Sequence, residues 1–274
     1  MSNSTLIKVK NYILVNGILN FMSIIQYYIL LTWNDSVVGI GTFIARDIAL
    51  ISIIDYFFAD RDYINNGNNN NINIKEQRNS GNFKEKLLYL IQVAIFDYYT
   101  YLYLTKFINN DRSFLGSYIY FIPMSFFIEL SFDLFHYIAH YMAHKIPYIY
   151  VNFHKTHHQI HYPTSITAFY QHPVDYTMSN VIPLIMSFRL VFTYLIFTLT
   201  PYQLILILTY KTHIEISGHC GKQNNTPSFP QFIFFPKMLG ISLYTKNHDR
   251  HHTENNCNYS KRFIIWDKLF GTFR

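Results

Sequence analysis

All thirteen histidines of this 274-residue chain lie between His136 and His252. Imidazoles four residues apart on a helix lie on one face about 6 Å from each other, so two of them can bind the same metal ion. In an HxxHH motif the first histidine shares a helical face with both of the others, which predicts three converging imidazoles. The closely spaced histidines form three sets, namely His136, His140 and His144; His154, His157 and His158; and His248, His251 and His252.

The repeated HxxHH motif argues for metal binding rather than packing. About one residue in twenty is His, so a chain of this length has roughly 0.03 HxxHH matches by chance, whereas this one has two. Two triplets and one pair supply eight nitrogen ligands, which suits two metal ions with positions left for water, oxygen or substrate. Imidazole binds iron, zinc, copper and nickel, so the ligand type alone leaves the metal open.

The remaining histidines are weaker candidates. His219 follows Gly218 near the end of an apolar stretch and is favoured as a further ligand, whereas His172 and His213 are intermediate. His161 is isolated, and an isolated histidine is more often a hydrogen-bonded structural residue than a ligand. The face of the first set continues backwards to Glu129 and Asp133, and ionisable groups in an apolar helix normally face the interior and serve function.

The composition predicts a membrane protein. Half of the residues are apolar, 19% are aromatic and only 14% are charged. Cys220 and Cys257 form no CxxC pair, so neither a cysteine zinc site nor a redox pair is expected. The net charge of +6 is scattered among aromatic residues, which does not favour nucleic acid. Residues 145–274 contain 12 basic and 5 acidic residues, so the excess lies with the histidines and would suit a negatively charged partner.

Four apolar segments are long enough to cross a bilayer. They are Tyr12–Trp33, Val37–Phe58, Leu87–Ile108 and Ser117–His140. The first lacks a small-residue cleavage site, so we expect a retained anchor rather than a removed signal peptide. In the second, Arg46, Asp47 and Asp55 must pair or face the bundle interior. A short polar turn at Asn109–Ser113 separates the last two.

The basic residues of the long polar loop at 61–86, and Lys8 and Lys10 at the N-terminus, place those parts on the cytosolic side. The loop contains the Asn-rich stretch Asn65–Asn73 and is expected to be flexible. Residues 179–210 are apolar around Pro201 and predict a hairpin that dips into the membrane, since ligands on both sides of it must emerge on one face.

The fold class expected is therefore an all-α, multi-pass membrane bundle of about four spans and a short membrane-embedded hairpin, with a cytosolic histidine-rich metal-binding cap. Along the chain this gives N-terminal spans at 1–60, a polar cytosolic loop at 61–86, further spans at 87–132 and a catalytic domain at 133–274.

Five motifs in a fixed order make the second half similar to a known family. They are HYMAHKIPYIYVNFHKTHH (140–158), HPVD (172–175), GHCG (218–221), NHDRHH (247–252) and NCNYSKRFIIWDKLFGTFR (256–274). Together they resemble the sterol desaturase and fatty acid hydroxylase superfamily of membrane di-iron oxygenases. Members of that superfamily have a proline and then a tyrosine between the first histidine box and HKxHH, as Pro147 and Tyr150 stand here. The resemblance therefore aligns the first histidine box with His140 and His144. His136 then becomes a supporting residue, and Asp133 is available to orient a ligand imidazole.

The resemblance implies two iron ions, molecular oxygen as co-substrate and a lipid as substrate. The ligands it implies are His140, His144, His154, His157, His158, His219, His248, His251 and His252. A sterol is favoured, as in C-5 desaturases, C-4 methyl oxidases or 25-hydroxylases, and a fatty acid or sphingoid base is the alternative. HPVD is not the haem motif of a fused cytochrome b5 domain. The resemblance therefore implies a separate cytochrome b5 with its NAD(P)H-dependent reductase, and a location in the endoplasmic reticulum with the boxes facing the cytosol.

Two other classes of protein remain as alternatives. A non-catalytic metal-binding or lipid-binding membrane protein would bind metal without forming an oxygen-dependent product. A metal-dependent lipid hydrolase would turn over without oxygen and with zinc alone. The sequence contains neither the HExxH motif of zinc proteases nor the GxSxG elbow of lipases.

Overall fold

A computed structural model describes residues 3–64, 82–108, 114–194, 199–224 and 228–274. The Asn-rich part of the predicted polar loop and the predicted turn at Asn109–Ser113 lie outside the described residues.

The first half of the chain is built from four long helices. These are α1 (Asn3–Thr32), α2 (Ser36–Phe57), α3 (Phe83–Thr105) and α4 (Phe114–Lys145). Asp35 begins α2 by accepting hydrogen bonds from two backbone N–H groups of its first turn, and Asn82 begins α3 by accepting one from the backbone N–H of Lys84. Within the described residues, four segments are long and apolar enough to cross a membrane: Val9–Thr32, Ser36–Phe57, Phe83–Thr105 and Tyr120–Lys145. The prediction of an all-helical membrane bundle with four spans is confirmed.

The second half consists of shorter helical elements. In chain order they are α5 (Pro147–Ile149), a π-helical turn (Tyr150–His154), α6 (Lys155–His158), a 3₁₀ turn (Ser165–Phe169), α7 (Pro173–Tyr176), a second π-helical turn (Thr177–Val181), α8 (Ile182–Tyr194), α9 (Pro201–His219), a 3₁₀ turn (Pro230–Phe232), α10 (Phe234–Met238), α11 (Thr245–Glu254) and α12 (Ile265–Leu269).

The predicted hairpin corresponds to α8 and α9, on either side of residues outside the described ranges. Pro201 occupies the first turn of α9 behind a capping box from Thr200, so the proline begins this helix. Helix α9 is buried along most of its length and packs against α1, α2 and α3. It runs through the bundle to His219, so one helix connects the apolar core to the histidines. The position of the hairpin in the membrane and the domain boundaries stay predictions.

Buried charges within the bundle are paired. Arg46 Nη2 lies 2.8 Å from Asp47 Oδ1 and 3.0 Å from Asp97 Oδ2, and Lys211 Nζ lies 3.5 Å from Asp97 Oδ1. Asp55 is exposed and accepts a hydrogen bond of 2.5 Å from the Ser165 hydroxyl. These contacts join α2 and α3 to α9 and to the segment that follows α6.

Candidate metal centre

The nine histidines implied as ligands lie together in two neighbouring groups. The first group, which we call group one, consists of His140, His144, His154, His158 and His251, and group two consists of His157, His219, His248 and His252. Within each group the candidate ligand nitrogens are all within 4.8 Å of one another. The end of α4, the helical segment α5–α6, the last residue of α9 and helix α11 each contribute to this cluster.

Each HxxHH motif divides its histidines between the two groups. His154 and His158, four residues apart, both belong to group one, whereas His157 belongs to group two. In the second motif His248 and His252 belong to group two and His251 to group one. The three imidazoles of each motif are therefore neighbours, but they do not all belong to one group. Positions three and four residues on differ by about 100° in direction around a helix, so they reach different neighbours.

Hydrogen bonds fix which ring nitrogen of several histidines carries the proton. The Nδ1 atoms of five rings face oxygen atoms that can only accept, so each Nδ1–H donates and leaves Nε2 with a lone pair. The pairs are His140 with the Tyr259 carbonyl (2.9 Å), His251 with the Cys257 carbonyl (2.7 Å), His154 with Asp175 Oδ1 (2.9 Å), His219 with the Glu215 carbonyl (2.8 Å) and His157 with the Tyr170 carbonyl (3.3 Å).

The Nε2 atoms within each group lie close together, at distances typical of metal ligands. In group one, His154 Nε2 lies 3.0 Å from His144 Nε2 and 3.1 Å from His158 Nε2. In group two, His219 Nε2 lies 3.5 Å from His157 Nε2. With a metal–nitrogen bond of about 2.1 Å, two ligands are about 3.0 Å apart at a right angle and about 3.4 Å apart at a tetrahedral angle. The observed separations match both values.

The rings of His248, His251 and His252 are neutral near pH 7. Burial is the main cause that lowers the pKa of His251 to about 3, and burial together with neighbouring imidazoles lowers the pKa of His252 and His248 well below 6.5. His219 Nε2 and His157 Nε2 both carry lone pairs, so they cannot hydrogen-bond to each other. Neither ring nitrogen of His252, nor Nε2 of His140, has a hydrogen-bond partner although these atoms are buried. This donor set fits a metal cation in each group.

Imidazole rings of the two groups lie next to each other. The ring centroids of His158 and His252, which belong to different groups, are 5.2 Å apart, and those of His157 and His158 are 5.7 Å apart. The two candidate metal positions therefore lie side by side, as a pair of metals acting on one substrate requires.

The other predicted site residues lie outside both groups. His136 Nδ1 contacts the Ser179 carbonyl at 2.6 Å, and its ring stacks on Phe132 next to His140. Asp133 accepts hydrogen bonds from the backbone N–H groups of residues 261, 262 and 263, so it holds this segment against α4 instead of orienting an imidazole.

Three histidines remain. His172 Nδ1 accepts a hydrogen bond from the Val174 N–H at the start of α7. His213 lies on α9 with a buried Nδ1 that has no hydrogen-bond partner. His161 is exposed.

Several groups that support the imidazoles were not identified from the sequence. Asp175 belongs to the HPVD motif, but its hydrogen bond to His154 is formed across a turn of irregular structure. Glu215 forms an ion pair of 2.6 Å with Lys261. Burial raises the pKa of Glu215, but Lys261 and other neighbouring positive groups together outweigh burial, and the pKa falls to about 2. The carbonyls of Cys257 and Tyr259 act through the backbone, so no side-chain pattern could indicate them.

A cavity of about 860 Å³ reaches group two. His219 and His248 line it, together with His213. Its walls include apolar residues of α1 and α2, among them Leu19 and Ile54. The polar residues Asp60, Arg61 and Asp62 also line it. The cavity therefore joins an apolar compartment in the bundle to the histidines.

Comparison with known proteins shows similarity to lipid-modifying enzymes. Sphinganine C4-monooxygenase 2 of Arabidopsis thaliana is 28% identical over 53% of this chain and 51% of its own length. Cholesterol 25-hydroxylase of Homo sapiens is 30% identical over 54% of this chain and 50% of its own. The very-long-chain aldehyde decarbonylase GL1-9 of Oryza sativa subsp. japonica is 27% identical over 52% of this chain and 51% of its own. The chain thus spans about half the length of these curated relatives, and no solved structure matches it significantly.

The family profile named fatty acid hydroxylase matches residues 125–272. This range covers more than half of the chain and contains both histidine groups. The order of the motifs and the clustering of the histidines in space agree with the match. The chain belongs to the fatty acid hydroxylase family.

Proposed function

We propose that the protein is a membrane-bound oxidoreductase that uses molecular oxygen to hydroxylate or desaturate a lipid at two histidine-bound iron ions. The observation that carries this proposal is the convergence of neutral imidazole lone pairs in two adjacent groups beside an apolar cavity. Two relatives, a sphinganine monooxygenase and a cholesterol hydroxylase, support oxygen-dependent chemistry on lipids.

Group one would hold one ion and group two the other. Iron, when bound, supplies the redox chemistry that dioxygen activation needs, which zinc does not supply. The chain's own residues keep the ligands neutral and oriented. Asp175 holds His154, and the Glu215 carbonyl holds His219, each through an Nδ1–H bond. The buried surroundings exclude water from the reacting carbon.

The cavity supports a lipid substrate. Its volume of about 860 Å³ and its apolar walls suit one long hydrocarbon skeleton. The carbon to be oxidised would lie next to His219 and His248, with the rest of the skeleton between α1 and α2. A sterol is our preferred substrate, and a fatty acid or sphingoid base is the alternative.

Electrons would come from a separate cytochrome b5 and its NAD(P)H-dependent reductase. Lys145, Lys155, Lys246 and Arg250 are exposed near the histidine-bearing helices. Such a basic surface suits an acidic electron-transfer protein. We propose that this surface faces the cytosol from the endoplasmic reticulum membrane and that residues 133–274 form the catalytic domain.

Metal analysis and oxygen consumption test the function. The purified full-length chain, reconstituted with Fe²⁺ under anaerobic conditions, should hold about two ions and consume oxygen with a reductant and one of three lipids: cholesterol, sphinganine or stearic acid. Product mass should rise by one oxygen atom or fall by two hydrogen atoms. Lipid cleavage without oxygen and with zinc alone would establish the hydrolase instead. Full metal binding without any oxygen-dependent product from a broad lipid panel would establish the non-catalytic alternative.

A matched pair of variants on α9 tests the ligand assignment. His219→Ala should lose metal from group two, because it removes one of four imidazoles. His213→Ala should keep the full metal content, because His213 lies six residues earlier on α9 and outside both groups. Equal metal loss in both variants would contradict the assignment.

A further inference from the structure

Residues 232–239 expose an unusual amount of apolar surface. Phe232, Phe234, Met238 and Leu239 are all exposed, Phe234 by 50% and Met238 by 79%. Between them, Phe235 turns inward and packs against Phe126 of α4 with ring centroids 4.6 Å apart. The segment is therefore anchored by one aromatic ring and presents the others outward. A contiguous apolar patch of this kind marks contact with a protein or a membrane.

Two hydrogen bonds hold the residues immediately before this segment beside α1. The Tyr12 hydroxyl donates to the Gln231 carbonyl at 2.8 Å, and the Asn16 amide donates to the Pro230 carbonyl at 3.0 Å. Both side chains belong to the candidate membrane span Val9–Thr32. Ile13, between them on α1, is 64% exposed. The exposed patch thus continues the surface of a membrane-spanning helix.

The same segment forms part of the cavity wall. Ile233, Phe234 and Lys237 line the cavity together with Val9 and Tyr12 of α1. The group two residues His219 and His248 line the same cavity. A molecule that passes between α1 and this segment would enter the compartment that leads to the candidate metals.

We propose that residues 232–239 insert into the surface of the bilayer, on the side of the histidine groups, and that a lipid passes from the bilayer into the cavity between this segment and α1. The passage rests on the proposed function, whereas the membrane contact does not. Lys237 is the one charged residue of the segment, and its long side chain can reach lipid phosphates while its neighbours stay in the apolar layer. The continuity with α1 favours a bilayer over a protein partner.

Quenching by brominated lipids tests both parts. In the full-length chain carrying Trp33→Phe and Trp266→Phe, a single tryptophan is introduced by Met238→Trp or by Phe234→Trp. The protein is reconstituted in phosphatidylcholine vesicles with and without bromine at carbons 6 and 7 of one acyl chain. Lys246→Trp, on the exposed side of α11, is the matched control. We expect bromine to lower the fluorescence at positions 238 and 234 at least about twofold relative to the control.

Each outcome decides one part, and neither measurement requires bound metal or turnover. Quenching at 238 no greater than in the control overturns the membrane contact. If tryptophan 238 is also shielded from aqueous acrylamide, a second copy or another protein covers the patch. Quenching at 238 without quenching at 234 keeps the contact and overturns the passage. Failure of the proposed oxygenase would leave these results unchanged, so the two proposals fail separately.

Discussion

Replacing Asp175 by Asn should weaken metal binding in group one about tenfold, and replacing it by Ala about a hundredfold. Asp175 Oδ1 accepts the His154 Nδ1–H at 2.9 Å, and both side chains are buried. Loss of such a carboxylate partner typically costs about 10- to 100-fold in metal affinity, or about 1.4–2.8 kcal/mol. Asn keeps an acceptor oxygen and loses the charge, so it belongs at the lower end. Ala also frees the ring to rotate, so it belongs at the upper end.

Chelator competition on the Fe²⁺-loaded protein, performed anaerobically, measures the two affinities. Only one of the two ions should be affected, because His154 belongs to group one. Asp55→Asn removes an exposed carboxylate outside both groups and serves as the charge-matched control. Identical affinities for Asp175, Asn and Ala at this position, or equal weakening of both ions, would refute the reasoning that this carboxylate orients a ligand.

Four other outcomes are expected. Gly39→Ala should destabilise the fold by about 1–3 kcal/mol, because its Cβ would lie 2.2 Å from an aromatic ring of α3. A Cβ at Gly41 would meet no other atom, so Gly41→Ala should be neutral or stabilising by up to about 1 kcal/mol. Chemical denaturation measures the stability of both variants. His157→Ala and His158→Ala should each leave about one ion, in different groups, as metal analysis and iron spectroscopy can show. Stability of the metal-free chain should fall from about pH 6.5 towards pH 3, by up to about 1.4 kcal/mol per unit for His251. Burial lowers the pKa of His251 in the folded chain to about 3, so between pH 3 and pH 6.5 the unfolded chain binds a proton that the folded chain does not. A stability that does not change with pH would contradict this. Chelation at pH 7 should lower the melting temperature, and an unchanged value would argue against metal binding to the folded state.

The helices and most of the candidate metal ligands could be predicted because their signals are local. An apolar run of about 20 residues reports a span regardless of its neighbours, and each of the four spans was found within a few residues. Likewise, a set of closely spaced histidines in an apolar chain indicates shared partners such as metal ions, because burying polar groups without partners is unfavourable. The structure gathers these nine into two groups and leaves His161 at the surface.

The partition of the ligands could not be predicted, because it depends on tertiary contacts. Helical spacing places His154, His157 and His158 near one another but does not say which neighbour each ring meets. The π-helical turn that ends at His154 is a local deviation that a regular helical pattern does not indicate. The carbonyl of Tyr259 meets His140 only because the chain turns sharply after α11, where Asn255 and Asn258 have positive φ.

The division of each HxxHH motif between the two groups also explains how a helix as polar as α11 can be buried. Its buried side chains include His248, Asp249, His251 and His252, and burial of polar groups without partners is unfavourable. Each HxxHH motif contributes histidines to both groups, so neither group is complete unless α6 and α11 pack together. Helix α4 supplies the remaining histidines of group one, and α9 supplies the remaining histidine of group two. Metal binding then favours the packed arrangement of all four helices over any arrangement in which one of them is detached. Two bound ions would in this way be part of the core of the second half of the chain, and the proposed reaction would take place in the same interior that holds that half together.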